Sequence, residues 1–237
     1  MAGMAERDPA AVEAMFDRLA GRYDLLNTVL SGGGDGRWRR RTAAAARLAA
    51  GGRALDVACG SGKLTAELRR QSRGGMVIGL DFSARMLREA ARKSPGPRYV
   101  RGDALRLPFA DASFESVTIA FGLRNLADPE LGMREMRRVL GPDGTALVLE
   151  FVRPSPGPTG RLYRTYLVHV LPRVGGLLSG QPAAYRYLSS TVDSYRTPDE
   201  LVAMARRAGW QDVRIELLNL GTVGLLSGRA PGETNPG

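Results

Sequence analysis

The stretch Arg53 to Gly62, reading Arg-Ala-Leu-Asp-Val-Ala-Cys-Gly-Ser-Gly, constrains the fold more than any other part of the chain. Ala54 to Ala58 is a short apolar run with one carboxylate, as expected of a strand buried on both faces, and it leads directly into a glycine-bearing turn and a helical pattern. Glycines at 60 and 62 let a ligand lie against bare backbone, near the free N–H groups of a helix start. A strand, a tight turn and a helix in that order suit a nucleotide-like ligand. The third glycine of a dinucleotide fingerprint is missing, so the turn is not of that type. By itself, a Gly-x-Gly turn fits an ordinary strand-to-helix connection equally well.

Met76 to Leu80 is a second apolar run, ending in Asp81 ahead of a helical pattern over Ala84 to Lys93. An acid at the tip of a second strand is where a ribose diol is held, because one carboxylate accepts from both hydroxyls. Arg98 to Arg101 predicts a third strand, which also ends in an acid, within Gly102-Asp103-Ala104. Ser116 to Phe121 predicts a fourth, and Gly122-Leu123-Arg124-Asn125-Leu126 then places Arg124 and Asn125 just past a strand's carboxyl end. A helical pattern over Pro129 to Leu140, a turn at Gly141 to Gly144 and a fifth strand at Thr145 to Phe151 follow. Thr197-Pro198-Asp199-Glu200 is a capping box that opens a helix to about Ala208. Val213 to Leu218 and Leu220 to Leu226 predict a final antiparallel hairpin. Strand and helix alternate, so the fold class is α/β with a mostly parallel, doubly wound sheet whose carboxyl edge holds the ligand.

Helical spacing over residues 10 to 30 and a second helix from Arg37 to Ala50 precede the first strand and predict a lid over residues 1–50. The second helix opens with Trp38 and the basic group Arg37, Arg39, Arg40 and Arg41, read as a solvated face or a contact for phosphate or lipid headgroups. Leu162 to Leu178 is too apolar for a surface helix and too broken by Pro172 and Gly175-Gly176 for a membrane helix, so residues 154–192 read as a cover inserted over a pocket. The binding domain then spans 51–228, with a disordered tail over 229–237. The formal charge of +10 across 237 residues fits a solvated basic surface, with an anionic membrane face or nucleic acid as alternatives. No apolar run of about 18 or more residues occurs, and the start lacks a signal-peptide layout. The expectation is a cytoplasmic protein. Cys59 is the only cysteine, which excludes an intrachain disulfide and a cysteine-based zinc site.

The pattern Asp-x-Ala-Cys-Gly-Ser-Gly, then Leu-Asp, then Gly-Asp-Ala resembles the class I methyltransferases that bind S-adenosylmethionine. Further stretches narrow the resemblance to the ubiquinone/menaquinone C-methyltransferases. They are Phe16-Asp17 through Arg22-Tyr23-Asp24-Leu25-Leu26-Asn27, Trp38-Arg39-Arg40, Leu80-Asp81-Phe82-Ser83, Ala120-Phe121-Gly122-Leu123-Arg124-Asn125, Leu149-Glu150-Phe151 and His169-Val170-Leu171-Pro172. The match covers roughly residues 14 to 228. Ser61 and Lys63 stand where family members commonly carry threonine and aspartate, and Gly141-Pro142-Asp143-Gly144 where they carry Lys-Pro-Gly-Gly.

The resemblance implies methyl transfer from S-adenosylmethionine, giving S-adenosylhomocysteine, to a ring carbon of a prenylated hydroquinone such as demethylmenaquinol, without a metal. It implies cofactor contacts at Tyr23, Gly60, Ser61, Asp81, Asp103 and Ala104. It also implies that Arg124 stabilises a substrate phenolate while His169, or a water held by Asn125, takes the proton. A structural hydrogen bond serves as well for His169, and core packing as well for Tyr163, Tyr166, Tyr185 and Tyr187. Lys63 is the ground for the alternative of another small aromatic or natural-product substrate. No Asn/Asp-Pro-Pro-Tyr segment or appended nucleic-acid module supports an RNA or DNA substrate. Peripheral membrane contact and a homodimer are compatible with the sequence.

Overall fold

A computed structural model of the chain describes residues 31, 33–153, 157 and 195–232. Most of the expected lid, nearly all of the expected cover and residues 233–237 lie outside these. The described elements, numbered in chain order, begin with α1 (Asp35–Ala45), β1 (Arg53–Val57), α2 (Lys63–Gln71), β2 (Met76–Asp81), α3 (Ala84–Lys93) and β3 (Arg98–Arg101). They continue with β4 (Phe114–Ala120), a 3-10 turn (Leu123–Asn125), α4 (Pro129–Val139), β5 (Leu140–Phe151), α5 (Pro198–Arg207), β6 (Gln211–Leu218) and β7 (Val223–Arg229).

The strands form one seven-stranded sheet in the order β3-β2-β1-β4-β5-β7-β6. Every pairing from β3 to β5 is parallel, and β7 is antiparallel to both β5 and β6. The fold is therefore the expected doubly wound α/β sheet closed by an antiparallel hairpin. From β1 the chain winds outward through β2 and β3, then returns to β4 on the other side of β1. That reversal opens a crevice at the carboxyl ends of β1 and β4, where an open α/β sheet binds its ligand.

The central strands are largely apolar because both faces are covered. In β1, Leu55 and Val57 join one core with Met133, Met136 and Met204, while Ala54 joins a second core with Trp38, Leu64 and Leu68. Three helix starts follow their capping chemistry. Ser83 accepts from the Met86 N–H ahead of α3, Asp128 accepts from the Leu131 N–H ahead of α4 with proline next in sequence, and Thr197 and Glu200 complete the expected capping box of α5.

Several boundaries differ from expectation, among them the start of β7, which is Val223 rather than Leu220, and three others bear on the fold. α1 stops at Ala45 rather than reaching Ala50, and Arg47 just beyond it takes a left-handed φ of 48°. The expected turn Gly141 to Gly144 lies inside β5, where Leu140 pairs with Phe114 before the register shifts and Asp143 turns left-handed. The expected disordered tail starts too early: Arg229 ends β7, and Ala230 is buried with its N–H donated to the Gly144 carbonyl.

Candidate active site

The strand tips at the crevice are held in unusual backbone conformations. Ala58, just past β1, has φ 49°, and Phe121, just past β4, has φ 59°. Both are non-glycine residues in the left-handed region, which costs roughly 1 to 2 kcal/mol each and persists only where the surroundings enforce it. A side chain at Gly122 would meet the Ala58 Cβ at 2.8 Å, so glycine lets the two tips approach. Gly60 is also left-handed. At Gly62 a Cβ would meet Ala90 at 3.0 Å and the Tyr99 hydroxyl at 2.9 Å. The second glycine of the turn therefore serves helix packing rather than close approach of a ligand.

Asp81 joins the tips of β1 and β2. Its Oδ2 accepts the Gly60 N–H at 2.8 Å and its Oδ1 the Ser83 N–H at 2.9 Å, and the Gly102 N–H donates to its carbonyl at 3.1 Å. The structure thus brings Gly60, Asp81 and the segment containing Asp103 and Ala104 to one edge. Ser61 and Ala104 are buried, and Asp103 is exposed, with its Oδ1 accepting the Leu105 N–H. Beneath them Asp56 is 1% exposed and accepts from the Thr65 hydroxyl at 2.6 Å and the Thr118 hydroxyl at 3.0 Å. Burial pushes its carboxyl up to about 6, against the pull of Thr65, the charge of Arg39 and the Thr118 bond. Burial, followed by the charges of Asp81 and Asp56, pushes the Cys59 thiol well above its ordinary value. Cys59 is a neutral, buried side chain and not a thiolate nucleophile.

Arg124 departs from the expectation of a substrate contact. Its side chain is 3% exposed, and its guanidinium lies 2.6 Å from Glu150 Oε1 and donates to the Phe121 carbonyl at 2.8 Å. Glu150 is fully buried near the end of β5 and also accepts the N–H groups of Arg124 and Phe151. The cause is the carboxylate itself, which needs a cation and several donors to remain in the interior. Arg124 therefore holds the turn after β4 in place. Asn125, in the same turn, donates to the Phe121 carbonyl at 3.4 Å, and its Oδ1 is buried without a hydrogen-bond partner among the described residues.

The four arginines of α1 divide. Arg37, Arg40 and Arg41 are exposed, and Arg39 is buried. Asp35, which opens the helix, accepts from Lys63 Nζ at 3.0 Å. The charge that Lys63 brings to the glycine turn is thus matched by an acid on α1. Sequence reasoning missed Asp35, Arg39 as a separate case, and Glu150. Only Glu150 left a signal, as one acid inside the apolar run Leu147 to Phe151. Tyr23, His169 and the tyrosines at 163, 166, 185 and 187 lie outside the described residues.

Residues 3–229 match the profile of the ubiE/COQ5 methyltransferase family. The chain belongs to the ubiE/COQ5 methyltransferase family. It is 46% identical over 221 residues to a demethylmenaquinone methyltransferase of Thermus thermophilus, covering 92% of this chain and 100% of that protein. It is 45% identical to that of Deinococcus radiodurans, with 92% of each chain covered. It is 44% identical to that of Mycobacterium bovis, covering 98% of this chain and 97% of that protein. Among solved structures, a SAM-dependent methyltransferase of Thermotoga maritima, described as a possible histamine N-methyltransferase, superposes with a TM-score of 0.65 at 19% identity. That likeness covers 91% of this chain and 98% of the other, and it extends to the fold. This ubiE/COQ5 family member is an S-adenosylmethionine-dependent methyltransferase, and the site described above lies at the ligand edge of its sheet.

Two outcomes follow from the buried acids. Arg124→Ala strands the Glu150 carboxylate, so unfolding in urea should show a loss of about 3 to 5 kcal/mol. The loss should shrink in a Glu150→Gln background. Wild-type stability in Arg124→Ala would show that the pair does not hold the turn. The raised carboxyl of Asp56 means that the folded protein binds a proton more readily than the unfolded chain. Its contribution is fully present below pH of about 4 and is lost as pH rises through about 6. Asp56→Asn removes that dependence. Relative to wild type, the variant should gain up to about 3 kcal/mol between pH 4 and pH 7 in denaturant titrations.

Proposed function

We propose that this methyltransferase transfers the methyl group of S-adenosylmethionine to a ring carbon of a prenylated hydroquinone, demethylmenaquinol, yielding menaquinol and S-adenosylhomocysteine. The observation that carries this reading is near-full-length similarity, at almost half identity, to relatives of that name from separate bacterial genera. The case for a different aromatic substrate rested on Lys63, and its pairing with Asp35 supplies a local reason for that residue.

The residues at the crevice fit the cofactor. The Asp81 carboxylate, oriented by the Gly60 and Ser83 N–H groups, is suited to accept from the ribose hydroxyls. Tyr23, Gly60, Ser61, Asp103 and Ala104 complete the proposed cofactor set. When bound, the cofactor supplies an electrophilic methyl group on a cationic sulfur. The task left to the protein is to orient the ring and to take one proton from its hydroxyl. The Asn125 Oδ1, without a partner among the described residues, is an acceptor for that hydroxyl or for a water, with His169 the proposed proton acceptor. Arg124, committed to Glu150, acts by positioning Asn125.

A prenylated substrate resides in lipid, because each buried methylene is worth about 0.8 kcal/mol of transfer from water. Among the described residues no helix is long and apolar enough to cross a membrane. We assign contact with the inner membrane face to the exposed Arg37, Arg40 and Arg41 and to the segment Leu162 to Leu178, from a cytoplasmic enzyme.

The direct test is incubation of the protein with labelled S-adenosylmethionine and reduced demethylmenaquinone, benzoquinols or tRNA. Labelled menaquinol alone should form. Turnover confined to a water-soluble aromatic would overturn the substrate. Asp81→Ala should weaken calorimetric cofactor affinity at least about tenfold, through loss of about 1.5 to 3 kcal/mol of charged hydrogen bonding. Unchanged affinity in the folded variant would remove Asp81 from the site. In flotation assays the protein should rise with anionic vesicles at low salt and be released by salt, Arg37 and Arg40 contributing about 1 kcal/mol each and Arg41, paired with Glu216, less. Indifference to vesicle charge would refute the arginine contact.

A further inference from the structure

The side chain of Arg39 is 6% exposed, yet its Nε has no hydrogen-bond partner among the described residues. The carboxylate that faces it, Asp35 Oδ2, is 3.9 Å from that nitrogen, too far for a hydrogen bond, and is occupied at 3.0 Å by Lys63. The guanidinium carbon lies 5.2 Å from the centroid of the Phe121 ring. Such stacking holds a cation in place but supplies no acceptor. A buried guanidinium with an unmade hydrogen bond is costly, and its planar fork suits carboxylates and phosphates. Phe121 is the left-handed residue that ends β4, and the charge of Arg39 is felt by Asp56 on β1. Arg39 thus stands over the crevice between β1 and β4.

This placement separates the two ends of the cofactor. Asp81, at the tip of β2, lies on the β2–β3 side of β1, and Arg39 lies on the β4 side. S-adenosylmethionine carries one anionic group, the α-carboxylate of its amino-acid end. We infer that Arg39 receives this α-carboxylate in a two-pronged hydrogen-bonded pair, with Lys63 holding Asp35 away from the guanidinium. The inference rests on the cofactor assignment to this crevice. It ties the cofactor to α1, which Trp38 already packs against the sheet, because the anchoring arginine belongs to that helix.

The test is calorimetric, with S-adenosylhomocysteine and its decarboxylated analogue, which keeps the amine and lacks the carboxylate. The wild-type protein should prefer S-adenosylhomocysteine by about thirtyfold, the equivalent of about 2 kcal/mol for a charged pair. Arg39→Met should abolish most of that preference while binding the analogue as the wild type does, and Arg39→Lys should keep part of it. Equal weakening toward both ligands would make Arg39 a packing residue and overturn the inference, as would full preference retained in Arg39→Met. Should Arg39→Met fail to fold, the wild type decides alone with Arg39→Lys: no preference between the two ligands, or none lost in the lysine variant, overturns it. Wild-type protein that binds neither ligand would overturn the cofactor assignment itself.

Discussion

A fully buried carboxylate persists only where cations and N–H groups converge on it, and Glu150 shapes the ligand edge of this sheet for that reason. It draws in Arg124 from the far side of the β4 turn and takes two backbone N–H groups besides. Arg124 in turn donates to the Phe121 carbonyl, fixing the chain where φ becomes positive. With that turn fixed, Gly122 closes on Ala58 and the ends of β1 and β4 define the crevice. Strain at Ala58 and Phe121 is sustained by the surrounding hydrogen bonds and packing, as is common where a fold prepares a binding site in advance.

The same edge collects acids, each held by partners of its own. Asp81 is tied to backbone N–H groups, Asp56 to two hydroxyls, and Asp35 to Lys63. Each acid is thereby oriented before any ligand arrives, and low solvent access strengthens the fields they produce. For methyl transfer from a cationic donor, the protein has orientation to supply and no need of a strong nucleophile of its own. The neutral state of Cys59 agrees with that division of labour.

The exposed and buried arginines of α1 separate two jobs on one short helix. Arg37, Arg40 and Arg41 face outward, where charge acts over a distance and is screened by salt. Arg41 is shared with Glu216 of β6, which ties this face to the edge strand. Arg39 points the other way, one position along from Trp38, whose ring is 6.4 Å from that of Phe121. The helix is therefore joined to the crevice by an aromatic contact and by a cation.

Much of the fold was legible in the sequence because it is written in local patterns. Apolar runs of strand length, helical spacing, capping residues and acids at strand tips each depend on near neighbours, and they gave α3, α5, a mostly parallel sheet and the position of Asp81 at the tip of β2. Charged side chains were not legible in the same way. Arg124 and Asn125 share one turn, yet one is committed to an acid 26 residues away and the other has an acceptor without a partner among the described residues. Asp35 and Lys63 meet across 28 residues, and Arg39 differs from its neighbours only in the direction its helix turns it. The sequence by itself determined the strand-turn-helix frame and the family. The tertiary structure decided which charges are paired and which face the crevice, because a long charged side chain takes its partner from whatever the fold brings near.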